Sequence, residues 1–187
     1  MLQGTKTFAF EVWEQLGAAP DALVLPVGNG TLVLGAARGF RELRAAGLTE
    51  RLPALIAVQS EGCAPLARAW ASGSERPIEV ESASSLAEGI AIPRPPRGAQ
   101  ILEAVVQSGG CIVAVPEAAI VPAQQRLGRR GLFVEPTAAI AWAGALLARG
   151  HPAGQGVRVD DEGWRVAREL TAGSLVVALC GAGLKSA

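Results

Sequence analysis

The chain has 187 residues, room for one ordinary domain. Half of it is hydrophobic, only 18% is charged, and 17 basic residues balance 17 acidic ones. That excludes a disordered chain, a nucleic-acid-binding basic face and a polybasic membrane anchor. No run of about eighteen apolar residues appears, so no membrane span is expected, and the start lacks the regions of a signal peptide. The expectation is a soluble, cytoplasmic protein that binds neither nucleic acid nor membrane. Cys63, Cys111 and Cys180 are odd in number and far apart, which fits neither a disulfide framework nor a CxxC metal pattern. A single histidine, His151, all but removes histidine metal sites and a Ser-His-Asp triad. Only Lys6 and Lys185 are lysines.

In chain order, residues 7–16 read as a helix with Phe8, Val12 and Leu16 on one face. Residues 21–27 form a short apolar run that reads as a buried strand, closed by Gly28-Asn29-Gly30. Residues 31–46 read as a helix ending near Gly47. Strands follow at 54–59 and 111–115, with a helix at 99–107 between them. Residues 117–130 and 136–149 read as helices, and 174–179 as a last strand running into Cys180-Gly181-Ala182-Gly183. The stretch 73–98 carries Pro77, Pro93, Pro95 and Pro96 and reads as a surface excursion. Continuous apolar strands separated by helices predict a three-layer α/β/α domain with a mostly parallel sheet. Ligands of such sheets bind beyond the carboxyl ends of the strands, where both glycine turns fall.

Four segments bear chemistry. Pro26 to Thr31 joins a strand, a glycine turn and a helix start. That arrangement presents main-chain N–H groups and a helix dipole to an anion, or is a tight turn capped by Thr31. Cys180, at a strand end on the ligand edge, suits a hydrogen bond to a heteroaromatic nitrogen, or is a small residue packed before a turn. Glu135, ahead of Pro136, favours a helix N-terminus electrostatically. Arg94 and Arg97 meet an anion or solvate a proline-rich loop. His151 reads as a surface residue. The dispersed Trp13, Trp70, Trp142 and Trp164 read as packing.

Taken in order, the segments resemble a known family. Residues 4–17 are similar to the "EGxKTxAFEI…LG" helix of threonine synthases, and 26–31 to their "PVGNxG" loop. Residues 51–66 resemble "RLPxxxxVQxxGxAPL", and 107–110 resemble "ESGG". Residues 131–144 resemble "GxFxEPxxAxAxAG", and 181–185 the closing "GxGLK". The ordered set resembles the pyridoxal-phosphate enzymes of fold type II (tryptophan synthase β-like), nearest to threonine synthase. The resemblance implies that Gly28, Asn29, Gly30, Thr31 and Leu32 hold the phosphate of pyridoxal 5'-phosphate through main-chain amides. It implies that Cys180 faces the pyridine nitrogen and leaves it largely unprotonated, which suits elimination and replacement chemistry.

There are departures. Gly28-Asn29-Gly30-Thr31-Leu32 stands where threonine synthases usually have "GNAGN", and Cys180 where Thr is frequent. Ala87-Glu-Gly-Ile-Ala-Ile92 is similar to the "AxGIAV" stretch of threonine and serine dehydratases. The family's Schiff-base lysine, the asparagine at the cofactor's 3-hydroxyl and most of the small domain belong to an N-terminal part that these residues do not match. Lys6 and Lys185 match other positions. The resemblance therefore implies that residues 1–187 are one C-terminal, cofactor-phosphate-binding domain, inactive alone. Its partners would be an amino-acid substrate and the N-terminal half, in the same chain or another, within a homodimeric enzyme. The implied reaction is hydrolytic conversion of O-phosphohomoserine to threonine and phosphate. The alternatives are a threonine or serine ammonia-lyase and a non-catalytic phosphate-ligand-binding module.

Overall fold

A computed structural model describes residues 2–81, 85–151 and 162–183. Short α1 (Leu2–Thr5) and α2 (Thr7–Leu16) precede strand β1 (Ala22–Pro26) and helix α3 (Thr31–Ala45). β2 (Ala54–Ser60), α4 (Pro65–Ala71), α5 (Gly98–Gln107) and β3 (Cys111–Val115) follow. The chain closes with α6 (Ile120–Gly128), α7 (Pro136–Ala148), α8 (Glu162–Leu170) and β4 (Leu175–Val177). The four strands form one parallel sheet in the order β3-β2-β1-β4.

Alternation along each strand divides the core in two. Val24, Ile56, Val58, Val113 and Val115 pack against α6, α7 and α8 on one face. Leu23, Leu25, Leu55, Ala57 and Ile112 pack against α2, α3, α4 and α5 on the other. β1, β2 and β3 therefore read as continuous apolar runs, because both of their faces are covered, whereas β4 is half-buried. The Ala-rich α7 is apolar around almost its whole circumference, and its small side chains let it lie close under the sheet. Trp164, only 1% exposed, anchors α8 in the same layer.

The connections from β1 to β2 and from β2 to β3 step along the sheet in one direction. The chain then returns from β3 to the far side of β1, where β4 lies. The gap between β1 and β4 is thus the point where strand order reverses, and sheets of this kind place their ligand crevice there, beyond the carboxyl ends. The start of this pair is clasped. One oxygen of the Asp21 carboxylate accepts from the Ser174 N–H (2.8 Å) and hydroxyl (2.7 Å). The N–H groups of Asp21 and Ala22 both donate to the Ser174 carbonyl at 3.1 Å.

The structure departs from the sequence reading in three places. Residues 117–130 are a single 3-10 turn (Glu117–Ala119) followed by α6, not one helix. Restarting at Ile120 places Pro122 in a first turn, where its missing N–H costs no intrahelical bond. The stretch 73–98 is not wholly a surface excursion: Ala87 and Ile90 are buried. Helices α1, α4 and α8 have no counterpart in the sequence reading. The α4 helix was signalled only by Pro65, its first helical residue. His151 is exposed, as expected.

Hydrogen bonds from Ser174, with a smaller contribution from Arg51, hold the Asp21 carboxyl below its usual 3.8. A depressed carboxylate contributes stability above its unfolded pKa and loses it as pH falls through the folded one. Asp21→Ala is expected to lower the melting midpoint by a few degrees at neutral pH. The gap to wild type should narrow once pH falls below the usual carboxylate range. Thermal melts at several pH values check this.

Candidate functional site: the carboxyl edge between β1 and β4

β1 ends at Pro26, and Val27 still donates to the Val58 carbonyl at 2.9 Å. The chain then leaves the sheet and turns at Gly28-Asn29-Gly30 into α3. Gly30 has φ +79°, a left-handed conformation that disfavours any side chain. Added bulk would also strike its surroundings. A Cβ at Gly30 would overlap the Ile101 side chain, and one at Gly28 would stand 2.9 Å from the Cα of Ile90. Asn29 is exposed, and its Oδ1 accepts from the Thr31 N–H (2.9 Å) and hydroxyl (2.8 Å). Gly30 closes the first helical bond, its carbonyl accepting from Leu34 N–H at 2.9 Å. Among the described residues, the main-chain N–H groups of Gly28, Asn29 and Gly30 meet no protein acceptor. Donors without acceptors, beside the N-terminus of a fifteen-residue helix, suit a phosphate-like anion.

The second turn lies on the same edge. Ala178 N–H donates to the Val24 carbonyl at 3.0 Å, which carries Cys180 past the end of β1. Residues 181–183 then pair antiparallel with 133–135. Glu135 N–H donates to the Gly181 carbonyl (3.1 Å) and Gly183 N–H to the Phe133 carbonyl (3.0 Å). Gln124 braces this pairing through the Val134 carbonyl at 2.8 Å. Glu135 thus sits at the start of α7, its carboxylate directly over Gly181. Cys180 is exposed. Even so, the atoms around its thiol desolvate it and push its pKa up. A main-chain hydrogen bond works against that, and the Glu135 charge adds to it. The thiol is therefore neutral at ordinary pH and able to donate.

The structure brings Gly28, Asn29, Gly30, Thr31, Leu32 and Cys180 to one sheet edge. Lys6 is engaged elsewhere: its Nζ pairs with Glu42 at 2.6 Å and lies 5.7 Å above the Phe10 ring. Lys185 and Leu184 lie outside the described residues. Arg94 pairs with Glu79 at 3.1 Å, both well exposed, as a solvated loop charge does. Sequence reasoning overlooked two supports. The buried Gln59 accepts from Leu66 and Ala67 N–H at 2.8 and 3.1 Å, fixing the start of α4. Residues 87–92 also back the phosphate-like turn, with Ile90 and Gly89 against Gly28. Their only signal was the similarity of 87–92 to dehydratases, which carries no placement.

Comparison with known proteins decides the family. The profile of the family "Pyridoxal-phosphate dependent enzyme" matches residues 1–159.

The chain belongs to this pyridoxal-phosphate-dependent family.

It is similar to the threonine synthase of Methanosarcina acetivorans, 37% identical over 145 residues, covering 76% of this chain and 36% of that protein. It is also similar to the threonine synthase of Mycobacterium tuberculosis (strain H37Rv), 35% identical over 185 residues, covering 98% of this chain and 45% of that protein. The chain therefore spans less than half the length of these relatives. Among solved structures it resembles an L-serine ammonia-lyase from Rhizomucor miehei. The TM-score is 0.73 at 22% identity, over 97% of this chain and 51% of that one. A threonine deaminase isoform from Solanum lycopersicum superposes with TM-score 0.69 at 20% identity, over 97% and 45% of the two chains. These structural likenesses establish the fold: a parallel α/β sheet of the fold type II pyridoxal-phosphate enzymes.

Two outcomes are expected. Gly30→Ala should cost about 1–2 kcal/mol from its left-handed backbone alone, measured by chemical unfolding. Cys180 should alkylate more slowly at mildly alkaline pH than an ordinary exposed cysteine, and Glu135→Gln should speed it. Mass-spectrometric labelling rates, with buried Cys63 and Cys111 as internal references, check the second.

Proposed function

We propose that this chain forms the cofactor-phosphate-binding part of a threonine synthase-like enzyme. The observation that carries the proposal is the meeting of two turns at the β1–β4 switch point. One turn offers main-chain donors without protein acceptors, and the other offers a neutral thiol. In this reading Gly28, Asn29, Gly30, Thr31 and Leu32 surround the phosphate of pyridoxal 5'-phosphate, which the unengaged main-chain N–H groups of the turn and the α3 dipole hold, while the Thr31 N–H stays with Asn29 Oδ1 and shapes the turn. When bound, the cofactor supplies an electron sink for bonds at the amino-acid α-carbon. Cys180 donates a weak hydrogen bond toward the pyridine nitrogen without delivering a full proton; desolvation, with a smaller contribution from the Glu135 charge, keeps that thiol neutral. The remaining parts, including the lysine that binds the cofactor covalently, would come from the N-terminal portion of the family, with an amino-acid substrate and a homodimer completing the enzyme. A cytoplasmic place in threonine biosynthesis follows from the same reading. Among the described residues no helix is long and apolar enough to cross a membrane.

The reaction proposed is O-phosphohomoserine plus water giving threonine plus phosphate. The similarity to threonine synthases at 35–37% identity favours it. A second reading, elimination of water from serine or threonine with release of ammonia and a 2-oxo acid, is favoured by the 87–92 segment. The protein carrying this chain should release phosphate from O-phosphohomoserine. Oxo-acid formation from threonine alone would favour the second reading. Cofactor binding with neither reaction would leave a phosphate-ligand-binding module.

Residues 1–187 alone should bind a hydrophobic dye and self-associate, because among the described residues β4 pairs only with β1 and its residues are half-buried. Phe133 and Leu132, 58% and 47% exposed, lie beside the site. Light scattering that finds a clean monomer without dye binding would count against a missing half.

A further inference from the structure

The carboxyl ends of β2 and β3 hold a second arrangement, outside both turns. β2 ends at Ser60, which is fully buried. Its hydroxyl donates to one carboxylate oxygen of Glu117 and accepts from Gly62 N–H at 3.0 Å. The other Glu117 oxygen accepts from the main-chain N–H of Leu86 at 3.1 Å. A single carboxylate therefore ties the end of β2 and the turn after β3 to residues 85–92.

Those residues belong to no strand; their only regular structure is one 3-10 turn, Glu88–Ile90. They are wedged between the Gly28 turn and the start of α7. On one side, the Cα of Ile90 and the carbonyl of Gly89 stand 2.9 and 3.3 Å from where a Gly28 Cβ would be. On the other, a Cβ on Gly89 would stand 2.9 Å from the Thr137 hydroxyl, in the first turn of α7. The position of the Gly28 turn thus depends on a segment whose leading end is moored at Glu117. A carboxylate accepting from a main-chain N–H makes a charge-assisted bond, stronger than a neutral one.

We propose that Glu117, oriented by Ser60, is a positioning residue for the cofactor-phosphate turn. It acts through residues 86–90 and touches neither cofactor nor substrate. Without the carboxylate, the buried Ser60 hydroxyl loses its acceptor and Leu86 N–H loses its partner. The wedge then withdraws from Gly28, and the turn loses the backing that aims its N–H groups. The inference rests on the phosphate-binding reading above and adds a residue that the glycine motif does not contain.

The test uses the full-length protein carrying this chain. Wild type, Glu117→Ala, Glu117→Gln and Ser60→Ala are titrated with pyridoxal 5'-phosphate and, separately, with pyridoxal, which lacks the phosphate. Bound-cofactor absorbance gives both affinities. Glu117→Ala is expected to weaken pyridoxal 5'-phosphate about tenfold and pyridoxal less than about twofold. Glu117→Gln keeps an acceptor for Leu86 and a partner for Ser60, and should return to within about threefold of wild type. Should Glu117→Ala fail to fold by circular dichroism, Ser60→Ala carries the comparison with the same selective loss, about threefold. Equal weakening of both ligands, or none, overturns the proposal. Variants matching a wild type that prefers the phosphorylated ligand overturn this proposal alone. A wild type without that preference overturns the phosphate reading as well.

Discussion

Everything at the candidate site depends on one strand pairing, β1 against β4. Both strands end at the same edge only because the chain returns across the sheet to pair Val24 with Val177. That pairing sets the glycine turn after β1 beside the Cys180 turn after β4. Neither turn is a site alone: an anion needs donors, and a ring needs a partner at its far end. The Asp21–Ser174 clasp fixes the register at the opposite end of the same two strands.

The glycines show how packing, rather than chemistry, dictates sequence here. A phosphate would touch only the main chain of the turn, so any residue free to adopt the backbone would serve chemically. Ile101 behind Gly30 and Ile90 behind Gly28 remove that freedom. The apolar core thus reaches to the back of a polar turn. The site's rigidity is borrowed from side chains that never meet the ligand.

Much of this was legible in the sequence. Strand positions followed from short apolar runs, and the parallel sheet from their continuity. Residues 28–31 and 180 were singled out by their place after strands, and Leu32 by the family resemblance. What stayed illegible depends on contacts distant in the chain. Nothing in Glu117 marks it as a partner of Ser60 and Leu86, since its tie spans 57 residues to one and 31 to the other. The proline-rich stretch 73–98 reads as solvent-exposed because prolines signal turns. Ala87 and Ile90 are nevertheless buried, since the crevice needs a backing there. Helix α8 is different: its nine residues are strongly one-sided, with Trp164 and Ala167 buried and charged residues outward, so its periodicity was legible and was overlooked.

The β1–β4 clasp joins residues 153 positions apart. During synthesis β1 therefore leaves the ribosome roughly eight to thirty seconds before the strand that pairs along its other side, at about 5–20 residues per second. In that interval β1 can pair with β2, and β2 with β3, while the other side of β1 remains an open template for foreign strands. The two turns thus meet only once β4 has docked, and a ligand that needs both finds neither arranged for it before then.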